Sequence, residues 1–79
     1  PLPKIVKFVS SHRKVKVGDK VVIHIDYKNS ERAFLLSNLS EKIDVSTKKV
    51  VKVAPKSGEL YTLICYSIDP KVSVTKDLN

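Results

Sequence analysis

The stretch that decides the fold is Lys20-Val21-Val22-Ile23-His24-Ile25-Asp26-Tyr27. Apolar side chains at positions 21, 23 and 25 alternate with polar ones at positions 24 and 26. Successive side chains of a β-strand point to opposite faces, so this period of two predicts a strand with one buried face. The same period, rich in β-branched residues, recurs along the chain. It predicts strands at about 4–9, 14–17, 20–27, 32–37, 48–54, 60–67 and 71–78.

Polar segments that contain Gly, Pro or Asn separate these predicted strands. Gly18-Asp19 precedes the strand at 20–27, and Asn29, a residue type that tolerates positive φ, lies in the turn after it. Loops are predicted at 54–59 and 68–71 for the same reason. The segment 38–47 leaves three alternatives open: a loop, a short helical turn or an extra edge strand.

About seven short strands in 79 residues predict an all-β fold, either a sandwich or a small barrel. A chain of this length forms one domain, because typical domains have ~100–150 residues. Nearly every inward residue must then contribute to the core. We predict a core of Val6, Phe8, Val15, Val21, Ile23, Ile25, Ala33, Leu35, Val51, Val53, Tyr61, Leu63, Cys65, Val72 and Val74.

The composition excludes several classes of protein. With one cysteine, the chain can form neither an internal disulfide framework nor a four-thiolate zinc site. No apolar run reaches the ~18–20 residues of a membrane span. Residues 1–20 lack the continuous apolar core of a signal peptide. Glycine occurs only at positions 18 and 58, so a Gly-rich phosphate loop and a nucleophile elbow are both absent.

The charge is strongly positive, with 15 Lys and Arg against 8 Asp and Glu, a net charge of +7. Such an excess is typical of proteins that bind polyanions such as nucleic acid. Only Arg13 and Arg32 are arginines, however, and the lysines are scattered along the chain. The two densest groups, residues 12–16 and Lys48-Lys49, have no interleaved aromatic residues on which bases stack. The pattern therefore favours a solvated lysine-rich surface, with a nucleic-acid-binding surface as the alternative.

Few residues are candidates for chemistry. His24 and Asp26 are predicted on the same face of one strand, but zinc needs three or four ligands, so we predict a solvated pair. Cys65 has no base near it in sequence, which favours a buried, inert thiol over a nucleophile. We therefore predict no catalytic residue, no metal and no cofactor, and a protein that is not an enzyme.

Four apolar residues are predicted on the face opposite the core. If the strands at 32–37 and 60–67 belong to one sheet, their outward side chains form one patch on its open face. Contiguous exposed apolar area is typical of a contact surface, and aromatic residues are its usual anchors. The alternatives are a bulge in one strand, or coverage of the patch by segment 38–47. The predicted protein-contact patch consists of Phe34, Leu36, Ile64 and Tyr66.

Five segments follow one another in an informative order: Pro3–Phe8, Val15–Ile23, Asn29-Ser30, Val51–Pro55 and Leu60–Leu63. In this order they resemble the bacterial immunoglobulin-like (Ig-like) domains, which occur in tandem arrays with a proline-containing joint at the start of many repeats. The resemblance covers most of the chain and implies an Ig-like antiparallel β-sandwich of about seven strands. Unlike antibody domains, this chain has no Trp and no pair of cysteines.

The resemblance also implies roles for particular residues and for the whole chain. Tyr61 is expected to be a tyrosine corner, with a buried ring and a hydroxyl that bonds nearby backbone. Residues 1–3 are expected to be a linker, and residues 4–79 a single domain excised from a larger protein. The expected function is a non-catalytic module that serves as a spacer or as a protein–protein interaction domain. Its expected partners are another protein or neighbouring domains of the same chain.

Two further expectations concern location and an alternative function. Analogy with the Ig-like family favours the cell surface, while the sequence itself assigns no compartment. The alternative function is a nucleic-acid-binding small β-barrel of the KOW or SH3-like kind. The lysine-rich surface supports this alternative, as does the turn at Val17–Val21, which is similar to an element of those barrels.

Overall fold

The strands of the structure, a computed structural model that describes residues 2–12 and 14–78, confirm an all-β fold. This part of the chain contains seven strands and no helix. Pro1 of the predicted linker, Arg13 of the basic group and Asn79 of the predicted domain lie outside the described residues. The strands are β1 (Lys4–Ser10), β2 (Val21–Lys28), β3 (Arg32–Ser37), β4 (Ile43–Asp44), β5 (Val50–Val53), β6 (Tyr61–Tyr66) and β7 (Ser73–Asp77).

The strands form two antiparallel sheets. The first has the order β1-β2-β5, and the second has the order β4-β3-β6-β7. The stretch at 20–27 becomes β2, the central strand of the first sheet, and its residues Val21, Ile23 and Ile25 are at most 3% exposed. Strands β3 and β6 are central in the second sheet and pair over six residues without a register shift.

The core lies between the two sheets and is a single apolar cluster. Because both sheets contribute alternate residues to one shared layer, the fold is a β-sandwich, as predicted. The first sheet contributes Phe8, Ile23, Ile25 and Val51, and the second contributes Ala33, Leu35, Tyr61, Leu63 and Cys65, with Val45 beside them.

The predicted strand at 14–17 is wrong. Both edges of β2 are occupied, by β1 on one side and β5 on the other, so this segment cannot pair with the strand that follows it in the chain. It lies in the loop between β1 and β2. Val15, which we predicted in the core, is 37% exposed for this reason.

Two further core predictions were inaccurate, those of Val6 and Val72, and Val72 is half-buried and lies outside the core cluster. Val6 is 46% exposed, because the register between β1 and β2 shifts between Ile5 and Lys7, and Ile5 packs on the core instead. Val45, which we did not predict, is fully buried. It directly follows β4, the two-residue edge strand Ile43–Asp44 that pairs with β3, while the rest of segment 38–47 is loop.

Three turns contain a residue with a left-handed backbone: Asn29, Gly18 and Gly58. Asn29 has a φ of 59° in the turn between β2 and β3, which confirms the prediction for that turn. Gly18 has a φ of 94°, in a turn closed by a hydrogen bond of 3.0 Å from the Asp19 amide to the Lys16 carbonyl. A side chain at position 18 would be strained by this φ, since left-handed conformations favour glycine.

Candidate functional site

The open face of the four-stranded sheet carries the four predicted contact residues. Along β3 and β6 the core residues alternate with half-buried ones, and that second set faces away from the core. Neither strand is bulged, and β4 extends the sheet beside β3 instead of crossing its face. The structure therefore brings four residues to one face: Phe34, Leu36, Ile64 and Tyr66. We call this set the open-face patch.

Phe34 lies at the centre of the open-face patch. It is directly opposite Ile64 in the antiparallel ladder, and its ring meets the Tyr66 ring edge to face, with centroids 6.2 Å apart. Two cations lie over the Phe34 ring: the Arg32 guanidinium at 5.4 Å and the Lys42 ammonium at 4.8 Å from its centroid. Such cation–π contacts place positive charge beside apolar area. Sequence reasoning missed both cations. Alternation along β3 could have placed Arg32 beside Phe34, two residues later, whereas the neighbour relation of Lys42 and Phe34 depends on where β4 pairs.

Carboxylates complete the edge of the open-face patch. Asp44 pairs with Phe34 across β3 and β4, and hydrogen bonds from Ser46 hold the pKa of its carboxyl below the usual range. At the other end of the face, the Thr62 hydroxyl donates a hydrogen bond of 2.8 Å to Asp77. The patch is thus an apolar centre with charges of both signs around it, which is the usual arrangement of a contact surface.

Tyr61 lies at one end of the sandwich, beside Glu59. Its side chain is 8% exposed, and burial together with the neighbouring Glu59 carboxylate raises the pKa of its hydroxyl to about 12. The ring is buried, as the resemblance implies. The hydroxyl interacts with Glu59, and the described residues include no backbone partner for it. The tyrosine corner stays a prediction.

A different tyrosine bonds to backbone across the fold. The Tyr27 hydroxyl donates to the carbonyl of Ser46 at 2.5 Å and lies 3.2 Å from the carbonyl of Val45. These contacts join the end of β2 to the segment after β4, so they hold one sheet against the other. The residues are 18 and 19 positions apart, and no local sequence signal marks such a pair.

The remaining residues that the sequence singled out as candidates for chemistry are Cys65, His24 and Asp26. Cys65 is fully buried, and burial raises the pKa of its thiol. His24 and Asp26 are both half-buried on β2, but Asp26 forms a salt bridge of 2.9 Å with Lys49. That hydrogen-bonded pair lowers the pKa of Asp26 and raises the pKa of Lys49. Among residues 2–12 and 14–78, no three His, Cys, Asp or Glu side chains are close enough to hold a metal.

Lysines gather at one end of the sandwich, around the loop between β1 and β2. Two clefts border segment 14–17, with volumes of about 660 and 600 Å³. The second cleft lies between this segment and the loop at Pro55–Leu60. We call the two together the end cleft. Its lining includes His12 and six charged residues: Lys14, Lys16, Asp19, Lys20, Lys56 and Glu59.

The chain matches no protein-family model, no curated protein and no solved structure. Its function is therefore inferred from its own residues and their geometry. In the described part of the chain, no helix is long and apolar enough to cross a membrane.

Proposed function

We propose that this chain is a non-catalytic, Ig-like module of a larger protein and that it acts as a protein–protein contact domain. The observation that carries the proposal is the centre of the open-face patch, where Phe34 lies against Ile64 and Tyr66 beneath two cations. Interfaces typically have an apolar and aromatic centre with a charged rim. This face has both parts.

The strand order supports the Ig-like assignment. If β1 to β7 correspond to strands A, B, C, C′, E, F and G, the two sheets are A-B-E and C′-C-F-G. Ig-like sandwiches place B and E in one sheet and C, F and G in the other, and the variable type adds C′ beside C. The division of strands in this chain agrees with that pattern.

The charges on the face indicate the chemistry of the partner. In the described part of the chain, the one salt bridge joins Lys49 and Asp26, so Arg32 and Lys42 form none, although the charge of Arg32 contributes to lowering the pKa of Asp44. A partner that fits this face presents an apolar side chain to Phe34 and carboxylates to the two cations. A pure spacer makes no use of this face.

Photo-crosslinking tests the proposal in the full-length parent protein. Benzoylphenylalanine replaces Phe34 in one variant and, as a control, Val9 on the outer face of the other sheet. We expect a discrete adduct with one protein from position 34 and not from position 9. Adducts of equal yield at the two positions, or none at position 34, would contradict a contact function for this face.

Two substitutions refine the same experiment. Phe34→Ser and Tyr66→Ser are each expected to weaken binding of the crosslinked protein at least tenfold, because interface anchors cost ~2 kcal/mol or more when truncated. Val9→Ser, at an exposed position on the outer face of the other sheet, is the matched control and is expected to change binding less than twofold. Unchanged binding and unchanged stability in both serine variants would show that the patch is not a contact surface.

The second candidate function is binding of nucleic acid. The observation that favours it is the group of four lysines at the end cleft: Lys14, Lys16, Lys20 and Lys56. The two-sheet sandwich differs from the small barrel in which we first placed this function. A gel-shift assay with RNA and DNA tests it, since affinity for phosphates falls steeply with salt. No binding at low salt excludes this candidate.

A further inference from the structure

Strand β7 pairs with β6 alone in the described part of the chain, so one side of its backbone is free. The Ser67 amide donates a hydrogen bond of 2.9 Å to the Val72 carbonyl. The Leu78 amide donates one of the same length to the Tyr61 carbonyl. In an antiparallel ladder, residues bonded to the neighbouring strand alternate with residues whose backbone faces away from it. The even-numbered residues of β7 therefore bond to β6. The backbone groups on the free side belong to Ser73, Thr75 and Asp77.

The free side of β7 is regular and exposed. The strand pairs with β6 over five residues without a register shift, and Ser73, Thr75 and Asp77 are all exposed. Strand β1 of the other sheet lies near β7 but pairs with β2. Among residues 2–12 and 14–78, no backbone–backbone hydrogen bond is found on this side of β7. A strand edge of this kind can pair with a strand of another chain.

The other three sheet edges carry features that hinder such pairing. Strand β4 has two residues, and β5 has four, with Lys52 among them. Strand β1 has a register shift between Ile5 and Lys7. Short strands, lysines and bulges protect sheet edges against pairing with another chain. Strand β7 is thus the longest edge with an unbroken ladder. Pairing of two copies through this same edge gives a closed dimer, whereas pairing of two different edges continues into a fibre.

The sequence of β7 is complementary to itself. With a two-fold axis at Val74, two antiparallel copies pair Val74 with Val74 and Ser73 with Thr75. Lys71 of each copy then lies opposite Asp77 of the other. Neither of these two charged residues is in a salt bridge within the described part of the chain, so both charges are available. Pairs of β-branched residues, of hydroxyls and of opposite charges across neighbouring strands each stabilise a sheet.

The position of Lys76, the lysine within β7, favours this register. Lys76 lies opposite Val72 of the second copy, where its methylene stem can cover the valine while the ammonium reaches water. An axis at Lys76 would place two lysines directly opposite each other, which is destabilising. An axis at Thr75 would pair Asp77 with Ser73 and remove both pairs of opposite charge.

We propose that two copies of this chain dimerise through their β7 edges, in antiparallel pairing with Val74 on the two-fold axis. The free-side N–H and C=O groups of Ser73 and Thr75 bond to those of the second copy. The two four-stranded sheets become one continuous sheet. None of the residues in this interface belongs to the open-face patch, so the dimer is independent of the contact function proposed above.

The dimer has a consequence for the open-face patch. Because the two-fold axis is perpendicular to the sheet, both patches lie on the same side of the continuous sheet. Five strand spacings of ~4.8 Å separate the two β3 strands, which are thus about 24 Å apart. A partner with two matching sites would bind both patches at once, with greater avidity than a single patch gives. This consequence rests on the contact function, whereas the dimer itself does not.

Sedimentation equilibrium of the chain, from about 10 µM to about 1 mM, tests the proposal. We expect the mean mass to rise from that of one chain towards that of two. Amide chemical shifts recorded over the same range are expected to change at 71–77 and to stay constant on β4 and β5. A mass of one chain at the highest concentration would overturn the proposal.

Proline substitutions block single edges. Thr75→Pro removes a free-side N–H and no bond to β6, and proline is tolerated at such edge positions. We expect it to weaken dimerisation at least tenfold. Val50→Pro is the matched control and is expected to change dimerisation less than twofold. The Val50 amide lies on the free side of β5, because the Ile25 amide bonds to the adjacent Lys49 carbonyl.

A charge exchange tests the register without altering the backbone. Asp77→Lys places cations opposite Lys71 at both ends of the interface and is expected to weaken dimerisation about tenfold. The double variant Lys71→Asp/Asp77→Lys restores opposite charges and is expected to recover dimerisation to within threefold of the wild type. Phe34→Ser is expected to dimerise as the wild type does, which separates this proposal from the one for the open-face patch.

Three further results would overturn the proposal. One is equal dimerisation of Thr75→Pro and the wild type. Another is a double charge variant that dimerises no better than Asp77→Lys. The third is loss of the dimer in Phe34→Ser, which would assign dimerisation to the open face. Retention of the dispersed amide spectrum by each variant shows that it is folded, and the charge variants test the interface even if Thr75→Pro does not fold.

Discussion

The Ser37 hydroxyl donates a hydrogen bond to the Glu59 carboxylate and thereby joins the end of β3 to the residue two positions before β6. The same carboxylate accepts a hydrogen bond of 2.9 Å from the Lys56 amide. Ser37 in turn accepts hydrogen bonds of 3.0 Å from the amides of Leu39 and Ser40. One charged group therefore connects two loops at the end of the sandwich.

The Glu59 cluster predicts a specific acid sensitivity. The hydrogen bonds that the Glu59 carboxylate accepts lower its pKa from 4.5 to about 2, and the bond from Ser37 has the largest effect. A lowered pKa stabilises the fold above the unfolded pKa, and this contribution is lost as pH falls from about 4.5 through about 2. We expect Glu59→Gln to lose about 1 kcal/mol at pH 7, a value reduced for solvent screening.

Urea unfolding of the wild type and of Glu59→Gln, at several pH values from 2 to 7, measures this effect. The difference in stability between the two proteins is expected to shrink towards pH 2. Glu31→Gln, at an exposed carboxylate outside the cluster, is the matched control and is expected to follow the wild-type profile. A constant difference between wild type and Glu59→Gln at every pH would contradict the role assigned to this carboxylate.

Val45 and Val15 show that an apolar sequence pattern does not by itself predict which valine is buried. Val45 is fully buried and Val15 is 37% exposed, although the sequence pattern placed Val15 in the core and not Val45. Deleting buried methyl groups removes their transfer free energy and leaves a cavity, so we expect Val45→Ala to cost about 2 kcal/mol. Val15→Ala is expected to cost less than about 0.5 kcal/mol. Thermal or urea unfolding measures both, and equal losses would contradict the packing described above.

The Tyr27 hydroxyl is expected to contribute to stability. Tyr27→Phe removes the hydrogen bond that its hydroxyl donates to the Ser46 carbonyl, near the Val45 carbonyl, and keeps the ring, at a cost of about 1 kcal/mol. Tyr66→Phe is the matched control, since no hydrogen bond of its hydroxyl is found in the described part of the chain. Urea unfolding compares the two variants, and an equal effect in both would argue against the Tyr27 contact.

Cys65 is expected to be unreactive in the native protein. Its side chain is fully buried, and burial raises the pKa of its thiol, which reduces the thiolate that reacts. Labelling with a thiol-specific disulfide reagent at pH 8 should be slower by a factor of at least 100 in buffer than in 8 M urea. Similar rates in the two solutions would mean that the thiol is accessible and would reopen its candidacy as a nucleophile.

The buried faces of the central strands are predictable from sequence. The period of two correctly places Ile23 of β2, Leu35 of β3 and Leu63 of β6 in the core, because alternation is a local consequence of strand geometry. It fails at Val6, where a register shift between β1 and β2 reverses the alternation. It fails at Val15, because both edges of β2, the strand that follows segment 14–17, are already occupied by β1 and β5.

The candidate site is predictable in part. Alternation along β3 and β6 correctly puts Phe34 and Ile64 on one face, because the two strands are neighbours without a shift. The two cations over Phe34 were missed, as was the hydroxyl contact of Tyr27. The Tyr27 contact joins residues 18 or more positions apart, and contacts of this kind depend on how segments pack together in space.

The sequence by itself determined the class of the fold, the faces of its central strands and the excess of positive charge. These properties follow from the alternation of side chains along a strand and from composition, and neither depends on which segments are neighbours in space. The tertiary structure decided which segments pair, and with that which lysines border the end cleft and why Lys14–Val17 has no partner strand. Pairing is decided by the competition of all segments for a limited number of sheet edges, and no single segment encodes the outcome.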